Sequence, residues 1–347
     1  MPENNNRLPD FEELTPERMI TAIEEAMREP FSGLASPLPS YINRVYEFQA
    51  MNGERFIAKF YRPGRWTREA IRDEHRFVID CAEAEIPVIS PMVLPSGDTL
   101  AETEGIFFAV YPKRFGRELE LHNDENWIRL GSLIARIHNE GAAASSENRL
   151  FLHPEKTTAN DIATILDGGF VSKRLEDSFK RVCDEILEII TPLFTEEIEF
   201  IRIHGDCHRG NILERPGEGI MIIDFDDMMT GPPVQDMWLL LPGHITSCQY
   251  EMDLLVEGYE QFRDFDDNMI KLIEPLRAMR IIYFLAWCSR QIDDFKFKNN
   301  FPDWGSDMFW RTEIGDLETQ LKIIRECDAV INRRALPYAQ GRILTDH

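Results

Sequence analysis

Long apolar runs are missing from this sequence. The longest, Ile281 to Trp287, lies between Arg280 and Arg290 and falls far short of the roughly 20 residues a membrane helix needs. Cysteine spacing is equally uninformative. The six Cys stand at 81, 183, 207, 248, 288 and 327 without one C-x-x-C pair, which excludes a zinc ribbon and a disulfide framework. Basic residues are few: 38 Lys+Arg against 61 Asp+Glu, a formal net charge of -23. Such a surface repels nucleic acid and anionic lipid, so neither is an expected partner, and any phosphate-binding site must be built locally against the overall field. The stretch MPENNNRLPDFEEL is polar and acidic, unlike a signal peptide, and a cytoplasmic protein is expected. Repeats and low-complexity tracts are absent too. What remains is a 347-residue chain, 43% hydrophobic and 10% aromatic, with enough apolar side chain for about two domains.

Residues 1–14 read as a loose tail. Thr15-Pro16-Glu17 then has the N-cap, the proline at the first helical position and the first-turn acid of a helix start, and that helix is expected to run to about Arg28. Pro30, Gly33, Pro37 and Pro39 break the chain after it. Two strand patterns, 43–49 and 55–61, flank Asn52-Gly53, a strong hairpin signal. A helix is expected over about 67–85, weaker strands over 88–94 and 100–102, and a buried strand over 105–111. The sum is about five strands with one helix inserted after the third, an antiparallel sheet with a helix rather than a βαβ repeat. From Asp124 the pattern turns helical, with Gly141 expected to close the first helix. Only 200–203 and 220–225 interrupt it as strands. The break at Pro112–Gly116 divides the chain into a tail and helix (1–33), a nucleotide-binding sheet lobe (34–115) and a helical lobe with the catalytic loop (116–347).

The interruption carries the chemistry. It reads Ile203-His204-Gly205-Asp206-Cys207-His208-Arg209-Gly210-Asn211, and thirteen residues later comes Asp224-Phe225-Asp226-Asp227. Phosphoryl transfer needs a carboxylate to orient the acceptor hydroxyl, hard oxygen ligands for Mg²⁺, and a lysine on the phosphates fixed by a carboxylate. Asp206, then Asn211 with Asp224, then Lys59 with Glu74 fill these roles in that order. Lys59 is flanked by apolar neighbours on its strand face, where an edge lysine snorkelling to water is the alternative. Glu74 interrupts the apolar stripe of the 67–85 helix, where a carboxylate needs a partner.

Together the two motifs resemble the Brenner motif of the aminoglycoside-phosphotransferase and choline-kinase group, whose fold is protein-kinase-like. Asp206-x-His208-x-x-Asn211 replaces the kinase Asp-x-Lys-x-x-Asn, and Asp224-Phe225-Asp226 stands where Asp-Phe-Gly would. The segments beginning Leu38-Pro39-Ser40-Tyr41, Ala58-Lys59-Phe60-Tyr61, Gly231-Pro232-Pro233 and Ile273-Glu274-Pro275 are similar to the bacterial stress response kinase A family, over about 36–310. The resemblance implies a two-lobed α+β kinase, with a small antiparallel sheet lobe and a larger helical lobe. It implies a cytoplasmic Ser/Thr protein kinase of the stress response, using ATP and Mg²⁺, with a protein acceptor. A monomer is the expectation, although nothing in the sequence fixes the oligomeric state. Carried over residue by residue, Asp206 is the base, Asn211 and Asp224 bind Mg²⁺, Asp224 counts also as an active-site residue, and Ser40 lies at the ATP site. The first hairpin lacks G-x-G-x-x-G; Ser40, Tyr41 and Asn43 occupy its place, and the Ser40 hydroxyl with neighbouring N–H groups is expected to replace the glycine cradle.

Competing readings attach to the same residues. His204 and His208 with Asp206 resemble a metal set, but Gly205 and the strand-like flanks argue for a loop and against zinc. Cys207 and His208 are adjacent in an extended loop and point apart, which argues against a thiol dyad; His208 is expected to orient Asp206 or a phosphate. Asp226 and Asp227 are either further metal ligands or, preferably, solvated acids. Asp236 is either a first-turn acid favoured by a helix dipole or a brace for the catalytic loop. Glu274, Arg277 and Arg280 are expected to form a buried ion-pair network rather than a substrate contact. Two other functions remain open: a small-molecule kinase for a cationic alcohol or aminoglycoside, which the acidic composition favours, and a nucleotide-binding module without catalysis, against which every expected catalytic residue is present.

Overall fold

The computed structural model describes residues 11, 14–40, 42–215, 217, 219–292 and 295–338. Tyr41 and most of the expected N-terminal tail lie outside them. Helix α1 (Pro16–Met27) starts at Thr15, whose side chain accepts from Arg18 N at 3.4 Å, and ends at Arg28 in the left-handed region. Strands β1 (Phe31–Pro37), β2 (Arg44–Ala50) and β3 (Arg55–Phe60) follow. Helix α2 (Arg68–Glu83) is capped by Thr67, and β4 (Ala101–Thr103) and β5 (Ile106–Pro112) complete an antiparallel sheet in the order β1-β2-β3-β5-β4.

The sheet has five strands, but one is not where the sequence placed it. The proline- and glycine-broken segment after α1 is β1. As an edge strand with a register shift between Phe31 and Ala35, it tolerates Gly33 and Pro37, which a central strand would not. The expected strand 88–94 is instead irregular, held by a Val88–Ile222 bridge and by Met92 N, which donates to Val110 O at 2.8 Å.

Beyond the short β6 (Arg117–Glu118) come α3 (Asp124–Ala143), α4 (Ala159–Asp167) and α5 (Glu176–Ile190), then β7 (Ile201–Ile203), β8 (Ile212–Arg215), β9 (Gly219–Ile222) and β10 (Met229–Gly231). Helices α6 (Gln235–Trp238), α7 (Gln249–Tyr259), α8 (Ile273–Ser289), α9 (Phe295–Asn300) and α10 (Asp307–Tyr338) close the larger part. β7 pairs with β10, and β8 stands between β6 and β9. Gly141 does not close α3, which continues to Ala143. A Cβ there would stand 2.1 Å from Arg202 O, so the glycine lets α3 lie directly on β7.

Among the described residues two large apolar cores result, with a small third cluster of Tyr61, Ile71, Leu100 and Ala109. Met19, Ile23, Phe48, Phe60, Phe108 and Val110 join α1 to one face of the sheet. The larger core holds α3, α5, α7, α8 and α10, and it also takes Phe77, Val78 and Cys81 of α2. α2 is therefore seated in the helical core on one side while its N-terminal half faces the sheet, which fixes Glu74 between the two parts. Among the described residues no helix is long and apolar enough to cross a membrane.

Candidate active site

β3 alternates its side chains, and Lys59 is the one that enters the cleft between sheet and helical part. Its Nζ lies 2.9 Å from Asp224 Oδ1, 3.1 Å from Asp226 Oδ1 and 3.7 Å from Glu74 Oε1. Only 7% of Lys59 is exposed, so it is no snorkelling edge residue. Burial opposes its charge, but Asp224, Asp226 and Glu74 outweigh burial and hold its pKa well above the usual lysine range. The expected Lys59–Glu74 pair is present, although two other carboxylates approach the ammonium more closely.

Glu74 has a closer partner that sequence reasoning missed. Arg149 donates to Glu74 Oε2 at 2.9 Å, to Ala70 O and Asp226 O at 2.8 Å each, and lies over the Trp66 ring at 4.1 Å. Its side chain is fully enclosed. The one signal in the sequence is a lone arginine directly before the apolar run Leu150-Phe151-Leu152. Burial raises the Glu74 pKa, with Lys59 opposing the shift.

Asp226 and Asp227 are not the solvated acids expected. Asp226 is buried and accepts from Arg65 at 2.5 Å and from Asn43 Nδ2 at 3.2 Å. Burial would raise its pKa, but Lys59, Arg65 and Arg149 hold it well below the carboxylate range. Asp227 takes the other arm of the Arg65 guanidinium at 2.5 Å. Asn43, whose Oδ1 also accepts from Arg62 N at 3.0 Å, is thus turned into this network and not toward a phosphate. Ser40 stands in the β1–β2 turn, closed below by Leu38 N to Val45 O at 2.9 Å, and its hydroxyl makes no hydrogen bond among the described residues. The turn is therefore held down by Asn43 on Asp226, without glycine.

The catalytic-loop segment runs out of β7. Asp236, 1% exposed, accepts His204 N at 2.7 Å and Gly205 N at 2.8 Å, and meets His138 Nε2 at 3.1 Å. It is the brace of this loop. His204 uses both ring nitrogens: Nε2 donates to Ile223 O at 2.9 Å and Nδ1 accepts from Asp206 N at 3.2 Å. That ties the loop to the strand end just before Asp224. Gly205 has φ 84°, and a Cβ there would lie 2.2 Å from Asp227 O, so only glycine serves.

Asn211 Nδ2 donates to Asp206 O at 3.0 Å, which leaves its amide oxygen to a ligand. Asp224 has φ 64° and ψ 66°, a left-handed conformation costing a non-glycine residue about 1–2 kcal/mol. Its carboxylate is half exposed in the cleft. Asp206 Oδ1 accepts from Arg280 at 2.6 Å, and His208 Nε2 stands 3.6 Å from Oδ2. The expected network on α8 is real for Glu274, which binds Arg277, His244, Ile245 N and Gln320. Arg280 leaves it and reaches Asp206 instead. One cleft thus gathers Lys59, Glu74, Asp206, Asn211 and Asp224, five of the six site residues expected from sequence, with Ser40 on the turn beside it.

Comparison with known proteins agrees with this geometry. The phosphotransferase enzyme family model matches residues 35–267. Stress response kinase A of Escherichia coli (strain K12) is 37% identical over 327 residues, covering 93% of this chain and 97% of the relative. The serine/threonine protein kinase RdoA of Salmonella typhimurium is 34% identical over 322 residues, with the same coverage, 93% and 97%. Among solved structures, the amicoumacin kinase hAmiN in complex with AMP-PNP, Ca²⁺ and Ami superposes with a TM-score of 0.69 at 18% identity, covering 86% of this chain and 93% of that one. A microcompartment-associated aminopropanol kinase gives 0.65 at 14% identity, covering 90% and 98%. At such identities these two establish the two-lobed fold alone. The chain therefore belongs to the phosphotransferase enzyme family, among its stress response kinase A proteins, and is a kinase that transfers phosphate to a hydroxyl.

Proposed function

We propose that the protein transfers the γ-phosphate of ATP to a Ser or Thr hydroxyl of a protein, with Asp206 as the base. The observation that carries this reading is the convergence of Lys59, from the sheet, with Asp224, 165 residues away, at 2.9 Å. Asn211 and Asp206 are fixed to the same strand end through His204 and Ile223. Lys59 contacts the triphosphate, and Glu74, Asp226 and Arg149 fix its strand and helix. Asp206 accepts the acceptor proton at Oδ2, because Oδ1 is taken by Arg280.

Among the described residues no three His, Cys, Asp or Glu side chains converge as a ready metal cluster. Mg²⁺ does not need one, since it binds through one or two protein oxygens and completes its shell with phosphates and water. The Asp224 carboxylate and the Asn211 amide oxygen are such donors. The ion would offset the phosphate charge.

A protein acceptor is preferred to a cationic small molecule because, among the described residues, the acids that line the cavity beside Asp206 are already paired with arginines. Asp227 and Asp161 are held by Arg65 and Arg290. Labelled ATP and Mg²⁺ should give phosphoserine or phosphothreonine on a generic protein or on the kinase itself. Choline, homoserine and aminoglycosides should be poor acceptors. Efficient turnover of one of these, without phosphoprotein by mass spectrometry, moves the chain to the small-molecule kinases.

A further inference from the structure

A cavity of about 120 Å³ opens beside the Asp206 loop, with Gly205 and Arg280 in its wall. Its surface is mainly apolar: Leu150, Leu152, Met229, Leu276, Met279 and the Tyr283 ring. The charged groups that line it are already paired. Asp161 holds Arg290 at 2.7 Å, Asp227 holds Arg65 at 2.5 Å, and Arg280 holds Asp206 at 2.6 Å. A charged side chain entering the cavity would have to break one of these pairs or remain unpaired, and either is costly. The size is also selective. Small-molecule pockets run to about 300–1,000 Å³. An apolar cavity of roughly 150 Å³ holds one benzene. This cavity matches a single apolar side chain.

We infer that it receives an apolar side chain of the acceptor protein, adjacent to the Ser or Thr that Asp206 addresses, so that the kinase selects hydroxyls flanked by Leu, Met or Ile. The inference rests on the proposed phosphorylation of protein hydroxyls and adds its sequence preference. The wall explains how such a preference is read. Leu276 and Met279 are buried and form the floor, whereas Leu150 is 43% exposed and forms the rim. Burying one aliphatic side chain is worth on the order of 10-fold or more in kcat/KM against a charged one.

The test is a set of Ser peptides in which the residue before or after the serine is Leu, Met, Ala, Lys or Glu, assayed with labelled ATP. At one flank, Leu and Met are expected to exceed Lys and Glu by about 10-fold or more in kcat/KM. Leu150→Glu, a rim substitution, should erase that gap and raise the relative use of Lys. A peptide with a photoreactive leucine at the preferred flank should crosslink to Leu150, Met279 or Tyr283 in the unaltered protein, a measurement that does not depend on the variant folding. Equal use of all flanks overturns the inference and leaves the protein-kinase reading standing. A preference untouched by Leu150→Glu, with crosslinks elsewhere, also overturns it. If no peptide is phosphorylated while a small alcohol is, both readings fall, and that outcome is distinct from the other two.

Discussion

Lys59 faces three carboxylates rather than one, and this changes what each of them does. Asp224 and Asp226 are nearer to it than Glu74, whose closest cation is Arg149. Glu74 therefore serves two ends that two measurements separate. Lys59→Met should depress the phosphoryl-transfer rate severely, Glu74→Gln less, and the double variant no further than Lys59→Met, because in the rate the glutamate works through the lysine. Stability should behave differently. Glu74→Gln leaves the enclosed Arg149 without its carboxylate and should cost about 3 kcal/mol, on the scale of breaking one side of a buried pair. Denaturant unfolding reads the second effect and steady-state rates the first. Additive rate losses would show that the two residues do not act as a unit.

At the scale of elements, the β3–α2 unit is joined by a neutral histidine. His75 on α2 meets the Tyr61 hydroxyl at 2.9 Å and the Thr99 hydroxyl at 2.7 Å. Burial, then Lys59 and Arg149, push its pKa down to about 3. The unfolded chain, with an ordinary histidine near 6.5, takes up the proton first as pH falls. This group's stabilisation is thus full above about pH 6.5 and is lost on acidification toward 3, at about 1.4 kcal/mol per pH unit. Thermal unfolding between pH 7 and 4.5 should show that slope, and His75→Gln should flatten it. An unchanged slope would mean the histidine is already protonated in the fold. The catalytic loop makes a second element-scale prediction. Gly205→Ala should lower stability and activity together, because both φ 84° and the 2.2 Å approach to Asp227 O exclude a Cβ. Retained activity would show that the loop can be rebuilt.

Helix starts at Thr15 and Thr67 were readable because capping is local chemistry. The roles of Lys59, Glu74, Asp206, Asn211 and Asp224 are proposable because phosphoryl transfer demands such groups and the two motifs resemble those of a known kinase group. Strand β1 was not readable, since Pro37 and Gly33 look like breakers until the strand is known to lie at an edge. Asp226, Arg65 and Arg149 were hidden for another reason. Their meaning lies in pairings across 75 to 162 residues, such as Arg149 with Glu74 and Arg65 with Asp227, which no spacing in the chain announces. Arg280 shares a helix with Glu274, and helical register alone does not show that it reaches Asp206.

Across the whole molecule, ligand binding should couple the sheet to the helical part, because Lys59 and Asn43 come from one and Asp224 and Asp226 from the other. ATP with Mg²⁺ at 100 times its Kd should stabilise the protein by about 2.7 kcal/mol. In Asp224→Ala the Mg²⁺-dependent share of that gain should largely vanish, and in Asn211→Ala it should shrink less, since only the former removes a charged oxygen. An Asp224→Ala protein with the same Mg²⁺ dependence would refute the metal assignment.

We propose that Asp206 acts on the acceptor and not on the nucleotide. Asp206→Asn, folded by circular dichroism, should lose phosphoryl transfer to protein by a factor on the order of 10²–10⁴ while calorimetry records ATP·Mg²⁺ binding at the affinity of the unaltered protein. Transfer at the unaltered rate, or loss of ATP binding with the fold intact, would contradict the account.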